Sequence, residues 1–162
     1  MTKKKQPKQK KAKQKERQEE EAAFLALVEL IEQRPKEFAE LAKKSPKALE
    51  VRGFLHETLL HYLAVEDDAD SVRLLIELGA DVNVRNELGK TPLMDCAMIG
   101  NTRMMELLLV NQADANLQDT DLKNTALHIA AEYNQPPAFE LLKKWKADLS
   151  IKNVFGCTPG YG

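Results

Sequence analysis

The apolar residues of this chain recur at helical spacing within short segments that polar, turn-forming residues separate. Three such segments lie near residues 70–78, 103–111 and 136–145. The first shows the pattern clearly, because Val72, Leu75 and Ile76 fall on one face of a helix with 3.6 residues per turn. Each segment therefore predicts a short amphipathic helix that must pack against a neighbouring element to bury its apolar face.

The helical segments belong to an internal repeat with a period of 33 or 34 residues. A threonine-led motif, an Ala-Asp motif and a pair of leucines all keep this step, and three independent landmarks at one period indicate a repeat architecture. The first landmark is Thr58-Leu59-Leu60-His61, Thr91-Pro92-Leu93-Met94, Thr125-Ala126-Leu127-His128 and Thr158-Pro159. The second is Gly79-Ala80-Asp81-Val82-Asn83, Gln112-Ala113-Asp114-Ala115-Asn116 and Lys146-Ala147-Asp148-Leu149-Ser150. The third is Leu74-Leu75, Leu107-Leu108 and Leu141-Leu142.

Physical chemistry assigns a role to the main positions of the repeat. Thr91 is a good N-cap and Pro92 suits the first helical position, so a helix is predicted to begin there. Gly79 takes a left-handed conformation at a helix C-terminus without strain. Gln112 and Lys146 occupy the same position, where we expect each to cost about 1 kcal/mol.

These landmarks resemble the ankyrin repeat family, whose pattern is a turn, T-P-L-H-x-A-A, a second helix ending in L-L, and then G-A-D-V-N. The resemblance covers about residues 53–159. It implies an all-α ankyrin repeat solenoid of stacked antiparallel helix pairs with projecting turns. It also implies a non-catalytic module for protein–protein interaction.

The repeat divides the chain into predicted units. The spacing of apolar residues continues upstream of the clear repeats, since Leu27 and Leu41 fall 66 residues before Leu93 and Leu107. This spacing suggests a degenerate N-terminal capping repeat. The sequence leaves open whether the last turn alone covers the third helix pair or whether that repeat is truncated. The predicted units are a basic, disordered tail over 1–21, the capping repeat over 22–52, and repeats over 53–86, 87–119, 120–153 and, in part, 154–162.

The resemblance implies that a partner contacts the turn tips and the exposed ends of the first helix of each pair. About half of the residues at these positions are apolar, which predicts a hydrophobic strip with charged edges. Carried over by position, the predicted partner-binding residues are Phe54, Leu55, Val65, Glu66, Arg85, Glu87, Leu88, Lys90, Met98, Ile99, Asp121, Leu122, Lys123, Glu132 and Tyr133, with Val154 and Phe155 following them.

Charge is distributed unevenly along the chain. Residues 1–17 carry a net charge of +8 and the remaining residues −9, although the whole chain is −1. Lysine-rich segments attract polyanions, so the alternative function is an ankyrin adaptor tethered to RNA, a ribosome or an anionic surface. The competing interpretation is a solvated, disordered extension that aids solubility. The lysines concerned are Lys3, Lys4, Lys5, Lys8, Lys10, Lys11, Lys13 and Lys15.

The side chains that usually carry chemistry fall on repeat positions. His61 and His128 occupy one position in two repeats, and Met94 fills it in the repeat between them. We therefore expect both histidines to hydrogen-bond to neighbouring turns. Cys96 and Cys157 should be too far apart for a disulfide, and no phosphate loop, nucleophile motif or metal-ligand spacing occurs. No enzymatic activity, cofactor or metal is predicted.

A membrane-spanning segment is not expected, because the longest apolar run, residues 22–28, has seven residues. The acidic residues 19–21 separate this run from the basic segment, which argues against a secretory signal. We expect a monomeric, cytoplasmic protein, or a nuclear one if the source is eukaryotic.

Overall fold

The computed structural model describes the backbone of residues 6–160 and the side chains of residues 13–15 and 17–160. The helices are α1 (Gln6–Gln33), α2 (Pro35–Lys44), α3 (Leu59–Val65), α4 (Ala69–Glu77), α5 (Pro92–Ile99), α6 (Thr102–Val110), α7 (Ala126–Glu132) and α8 (Pro136–Lys144). Two short 3₁₀ segments, Pro46–Glu50 and Phe54–His56, connect α2 to α3. The described residues contain no strand, so the predicted all-α class is confirmed.

Consecutive helices form pairs, and the pairs stack in two layers. The inner layer contains α1, α3, α5 and α7, in which each helix contacts the next. In the outer layer α2 contacts α4, and α6 contacts α8. One apolar core runs between the layers, and its members include Phe38, Leu63, Leu108 and Leu127, all fully buried. Each pair therefore buries its apolar face only by contacting its neighbours.

The helices begin where the capping residues predict. Thr91 precedes α5, and its hydroxyl accepts a hydrogen bond from the amide of Met94 at 3.4 Å. Asp68 and Asn101 cap the outer helices α4 and α6 with side-chain oxygens. The orphan amide groups of the first helical turn are thereby satisfied locally.

The helix ends confirm the predicted left-handed position. Gly79, Gln112 and Lys146 have φ angles of 93°, 70° and 60°. A glycine adopts this conformation freely, whereas the two longer residues adopt it with strain.

The N-terminal segment, predicted as a basic, disordered tail over 1–21, forms part of a long helix from residue 6 onwards. Helix α1 begins at Gln6 and runs without interruption across the predicted boundary between 21 and 22, so residues 6–17 are helical in this structure. The physical reason is composition: residues 8–23 contain only Lys, Gln, Glu, Arg and Ala, all good helix formers, and no Gly or Pro. An ion pair one turn apart, between Lys15 and Glu19 at 3.6 Å, adds to this. Residues 1–5 lie outside the described part of the chain.

Both predicted framework histidines bond to the following turn. The Nε2 atoms of His61 and His128 lie 3.0 Å from the backbone carbonyls of Lys90 and Cys157, respectively. Their Nδ1 atoms lie near the hydroxyls of Thr58 and Thr125, at 3.0 and 2.9 Å. Each histidine thus ties the start of an inner helix to the next repeat.

We expect His61 to make the protein sensitive to acid. Burial lowers the pKa of the imidazole from 6.5 to about 4, although its bond to the Lys90 carbonyl acts in the opposite direction. Between these values the unfolded chain binds more protons, so the free energy of unfolding falls as the pH drops from 6.5 through 4. His61→Met, which copies Met94, should lose less stability between pH 7 and pH 5 than the wild type in urea unfolding. An equal loss in both proteins would contradict this assignment.

We expect Gln112→Gly to stabilise the protein by up to about 1 kcal/mol, because glycine relieves the left-handed strain at this position. The control is Gly79→Ala, since a Cβ at Gly79 meets no atom within 4 Å and only the backbone conformation opposes it. That variant should be destabilised by a similar amount. Urea unfolding measures both changes, and a destabilised Gln112→Gly would show that strain at position 112 is negligible.

Candidate partner-binding surface

The turn tips between helix pairs form a continuous row. The backbone amide of each tip donates to a carbonyl of the preceding tip: Glu87 to Leu55 at 3.1 Å, Thr120 to Leu88 at 3.2 Å, and Val154 to Leu122 at 2.9 Å. Because these bonds repeat at equivalent positions, the side chains of the tips project in register along the stack.

A single polar side chain shapes each of the last three turns. The Oδ1 atom of Asn86 accepts from the amides of Leu88 and Lys90, each at 3.0 Å. Asp119 and Asn153 make the equivalent pairs of bonds in their own turns. Sequence reasoning missed these residues, although their spacing of 33 and 34 was the available signal.

The first turn lacks such a side chain, because Gly53 stands at that position. Its tip residues Leu55 and His56 both have positive φ angles, 57° and 53°. Left-handed backbone at a β-carbon-bearing residue costs energy, and such strain is concentrated at functional segments. Phe54 and Leu55 are exposed on this strained tip.

Arg85, predicted as a partner contact, also bonds within the framework. Its Nη1 atom donates to the carbonyl of Gly89 at 3.0 Å and to that of Gln118 at 2.6 Å. Arg52, 33 residues earlier, bonds in the same way to His56 and to Arg85. The guanidinium of Arg85 therefore holds two neighbouring turns together, while the residue stays exposed.

Six of the predicted residues line one groove, which we call the central groove. It has a volume of about 170 Å³ and lies between the second and third tips and α7. A second groove, on the other side of Leu122 and Glu132, continues towards Phe155. The predicted residues in the central groove are Leu88, Lys90, Asp121, Leu122, Glu132 and Tyr133.

Apolar side chains at the ends of the inner helices remain accessible beside this groove. Ile99 and Tyr133 occupy the same repeat position and are 43% and 49% exposed. Val65 and Met98 share the adjacent position, where Val65 is exposed and Met98 is half-buried. These residues extend the apolar surface from α7 back to α3.

The remaining predicted residues are exposed but do not line the central groove. Lys123 is left-handed at the third tip, where its carbonyl accepts from Gln118 at 2.6 Å. The exposed residues outside the groove are Phe54, Leu55, Val65, Glu66, Glu87, Ile99 and Lys123.

Sequence reasoning missed three residues of the inner-helix face. Tyr62 and Asp95 occupy the variable position of the T-P-L-H-x-A-A motif, and Glu57 precedes its threonine. Burial raises the pKa of Asp95 to about 6, and Glu57 adds to this shift while Lys90 opposes it. Burial also raises the pKa of Glu57. Tyr62 and Asp95 could have been identified from the sequence by their place at the variable position of the motif.

The described residues offer no arrangement for metal chemistry, since no group of three or more His, Cys, Asp or Glu side chains is placed to hold an ion. Cys96 is buried and Cys157 exposed, and both are free thiols, as predicted. Burial raises the pKa of Cys96, so this thiol is protonated at neutral pH. Within residues 6–160, no helix has the length and apolar character that a bilayer requires.

Comparison with known proteins identifies several relatives. The chain is 42% identical over 72 residues to a rice (Oryza sativa subsp. japonica) protein named "Probable E3 ubiquitin-protein ligase XBOS33". It is 33% identical over 102 residues to "Ankyrin repeat and KH domain-containing protein mask-1" of Caenorhabditis elegans. It is also 33% identical over 112 residues to the B-cell lymphoma 3 protein homolog of Mus musculus.

These alignments cover 44%, 62% and 68% of this chain but only 14%, 4% and 25% of the three relatives. The shared region is thus a small part of each relative. The family model for ankyrin repeats, in three copies, matches residues 36–153. The chain belongs to the ankyrin repeat family.

Proposed function

We infer that this chain is a non-catalytic protein–protein interaction module. Ankyrin repeats generally mediate protein–protein interactions and are typically not catalytic. The partner contacts the concave surface, which comprises the turn tips, the central groove and the exposed ends of the inner helices. The observation that carries this proposal is the exposure of Leu122 and Tyr133 along the central groove, with Ile99 exposed at the repeat position equivalent to Tyr133.

The exposed apolar residues are separate from those that hold the fold together. Turn-to-turn contacts use backbone groups and the side chains of Arg85 and Gln118, whereas the core uses residues between the helix layers. Ile99 and Tyr133 have side chains that make none of these hydrogen bonds. Burying such residues against a partner gains free energy without disturbing the stack.

Tyr133 is the best candidate for an energetic hot spot. It combines a large apolar ring with a hydroxyl group, and Lys90 and Glu132 flank it in the central groove. Aromatic anchors surrounded by polar groups dominate many interfaces. Binding energy should therefore be concentrated near α7.

We expect the double variant Ile99→Ala, Tyr133→Ala to weaken partner binding at least about tenfold, a loss of about 1.4 kcal/mol or more. The melting temperature should stay within a few degrees, because both side chains are substantially exposed. Partners are identified by pull-down with mass spectrometry and their affinities then measured with purified proteins.

The matched control is Val110→Ala, Trp145→Ala, which removes one aliphatic and one aromatic side chain from the ends of outer helices. This control should retain binding. If the double variant Ile99→Ala, Tyr133→Ala unfolds, the two residues belong to the core. If it stays folded and binds partners as the wild type does, this surface is not the binding site.

A second candidate is the polyanion tether predicted from the lysine-rich segment. Lys13, Lys15 and Arg17 lie on the N-terminal half of α1, and the exposure of Lys13 and Lys15 favours this function. Lys3, Lys4 and Lys5, and the side chains of Lys8, Lys10 and Lys11, lie outside the described residues. Retention on immobilised RNA that falls steeply with salt would support the tether, and retention independent of salt would contradict it.

The protein acts as a cytoplasmic monomer in this proposal. Two free cysteines agree with a reducing compartment. Sedimentation measures directly whether the chain is monomeric.

A further inference from the structure

Two carboxylates of the inner-helix side, Glu57 and Asp95, form neither a hydrogen bond nor an ion pair in the described part of the chain, and we call them the carboxylate pair. Glu57 immediately precedes the first threonine motif, Asp95 lies within α5, and both are half-buried. Among the described residues, neither side chain forms an ion pair or accepts a hydrogen bond. Their oxygen atoms are nevertheless reached by solvent, because no fully buried polar atom is unsatisfied in this part of the chain. A group from outside the chain can therefore reach them.

The repeat register shows why Glu57 is unpaired. In the second and third repeats, the residue before the threonine contacts the residue eight positions later: Lys90 Nζ meets Met98 Sδ at 3.8 Å, and Asn124 Nδ2 donates to Glu132 Oε2 at 3.3 Å. In the first repeat the same positions hold Glu57 and Val65. Since valine offers no polar group, the carboxylate has no partner at this register.

Acidic side chains outnumber basic ones around the carboxylate pair, where Lys90 and Arg52 are the cations among the described residues. Glu66, Glu32 and Glu57 all raise the pKa of Tyr62, the α3 residue in register with Asp95, after the larger effect of burial. Lys90 is the described cation that acts on Asp95, but its Nζ atom lies at Met98 and forms no ion pair. Burial disfavours the charged form of both carboxylates, and Lys90 offsets this at Asp95 only in part, so a further cation would stabilise the pair.

Apolar side chains adjoin the carboxylate pair. Val65 is exposed at the end of α3, and Met98 and Ile99 lie at the end of α5, on the way to Tyr133 and the central groove. A ligand on this surface therefore meets carboxylates near α3 and apolar residues towards α7. Long basic side chains suit the boundary, because their aliphatic stems pack on apolar groups while their heads pair with acids.

We propose that the partner is a basic peptide segment, with a Lys or Arg side chain between Glu57 and Asp95 and apolar residues on Ile99 and Tyr133. This inference rests on the proposed function and names the chemistry of the partner. Charge complementarity supplies specificity and faster association, and the apolar contacts supply most of the affinity.

The chain's own basic segment does not meet these requirements. Residues 1–17 contain Met1 and Ala12 as their sole hydrophobic residues, too little to cover Ile99 and Tyr133. Lys15 pairs with Glu19 in the same helix. The occupant must therefore bring both charges and apolar side chains, which favours another protein.

The test is selection of binding peptides from a phage-displayed library of random twelve-residue peptides against the full chain. Selected peptides should be enriched in Lys and Arg together with apolar residues. Synthetic copies should bind Glu57→Gln, Asp95→Asn at least tenfold more weakly than the wild type. They should also bind Ile99→Ala, Tyr133→Ala at least tenfold more weakly.

The matched control is Glu77→Gln, Glu106→Gln, which removes two exposed acids from the outer helices α4 and α6. This control should bind as the wild type does. The variant Glu57→Gln, Asp95→Asn should melt no lower than the wild type, because amides are isosteric and carry no charge that burial disfavours.

The outcomes separate this inference from the proposed function. Peptides that require Ile99 and Tyr133 but bind the variant Glu57→Gln, Asp95→Asn without loss would overturn the basic-partner inference and leave the proposed function standing. A library that yields no peptide dependent on either pair would overturn both. A synthetic peptide of residues 1–17 that binds this surface more tightly than any selected peptide would assign the surface to the chain's own segment and overturn the proposal.

Discussion

Hydrogen bonds between residues 33 or 34 positions apart hold successive turns of this protein together, and the rest of the fold depends on them. Arg52 reaches the carbonyl of Arg85, Arg85 reaches that of Gln118, and Gln118 reaches that of Lys152. A helix pair has an apolar face that it cannot bury alone, so it is stable only when its neighbour lies at the correct height and angle. The turn-to-turn bonds fix both, and they align the tips that we propose as the binding surface.

This constraint divides the residues of each repeat into two groups. Those at bonding positions, such as His61 and Asn86, tie one repeat to the next or shape a turn, so a change there removes a contact of the framework. Those between them make no turn-to-turn hydrogen bond, and Asp95, whose side chain forms neither a hydrogen bond nor an ion pair among the described residues, is an example. Glu57 belongs to this second group as well, since its carboxylate also forms no hydrogen bond or ion pair in the described part of the chain.

Much of the fold was predictable because the repeat displays the same physics several times. The threonine caps, the left-handed Gln112 and Lys146, and the two histidine ties all follow from one register. The long helix α1 could not be predicted, because a lysine-rich composition is compatible with both a solvated, disordered chain and a helix. The role of Arg85 was also missed, because sequence position cannot reveal that a guanidinium at a turn reaches the next turn. The carboxylate pair depends on burial and on distances between repeats, which periodicity does not contain.

The third turn is one residue longer than the others, since the amide of Asp119 bonds to the carbonyl of Asn124 while that of Asn86 bonds to Lys90. The row of tips nevertheless continues, as Val154 still bonds to Leu122. The extra residue is thus absorbed within the turn, and the helices on either side keep their positions. Insertions and deletions at the tips are therefore the variation that evolution can introduce most easily, altering what the surface recognises while leaving the architecture intact.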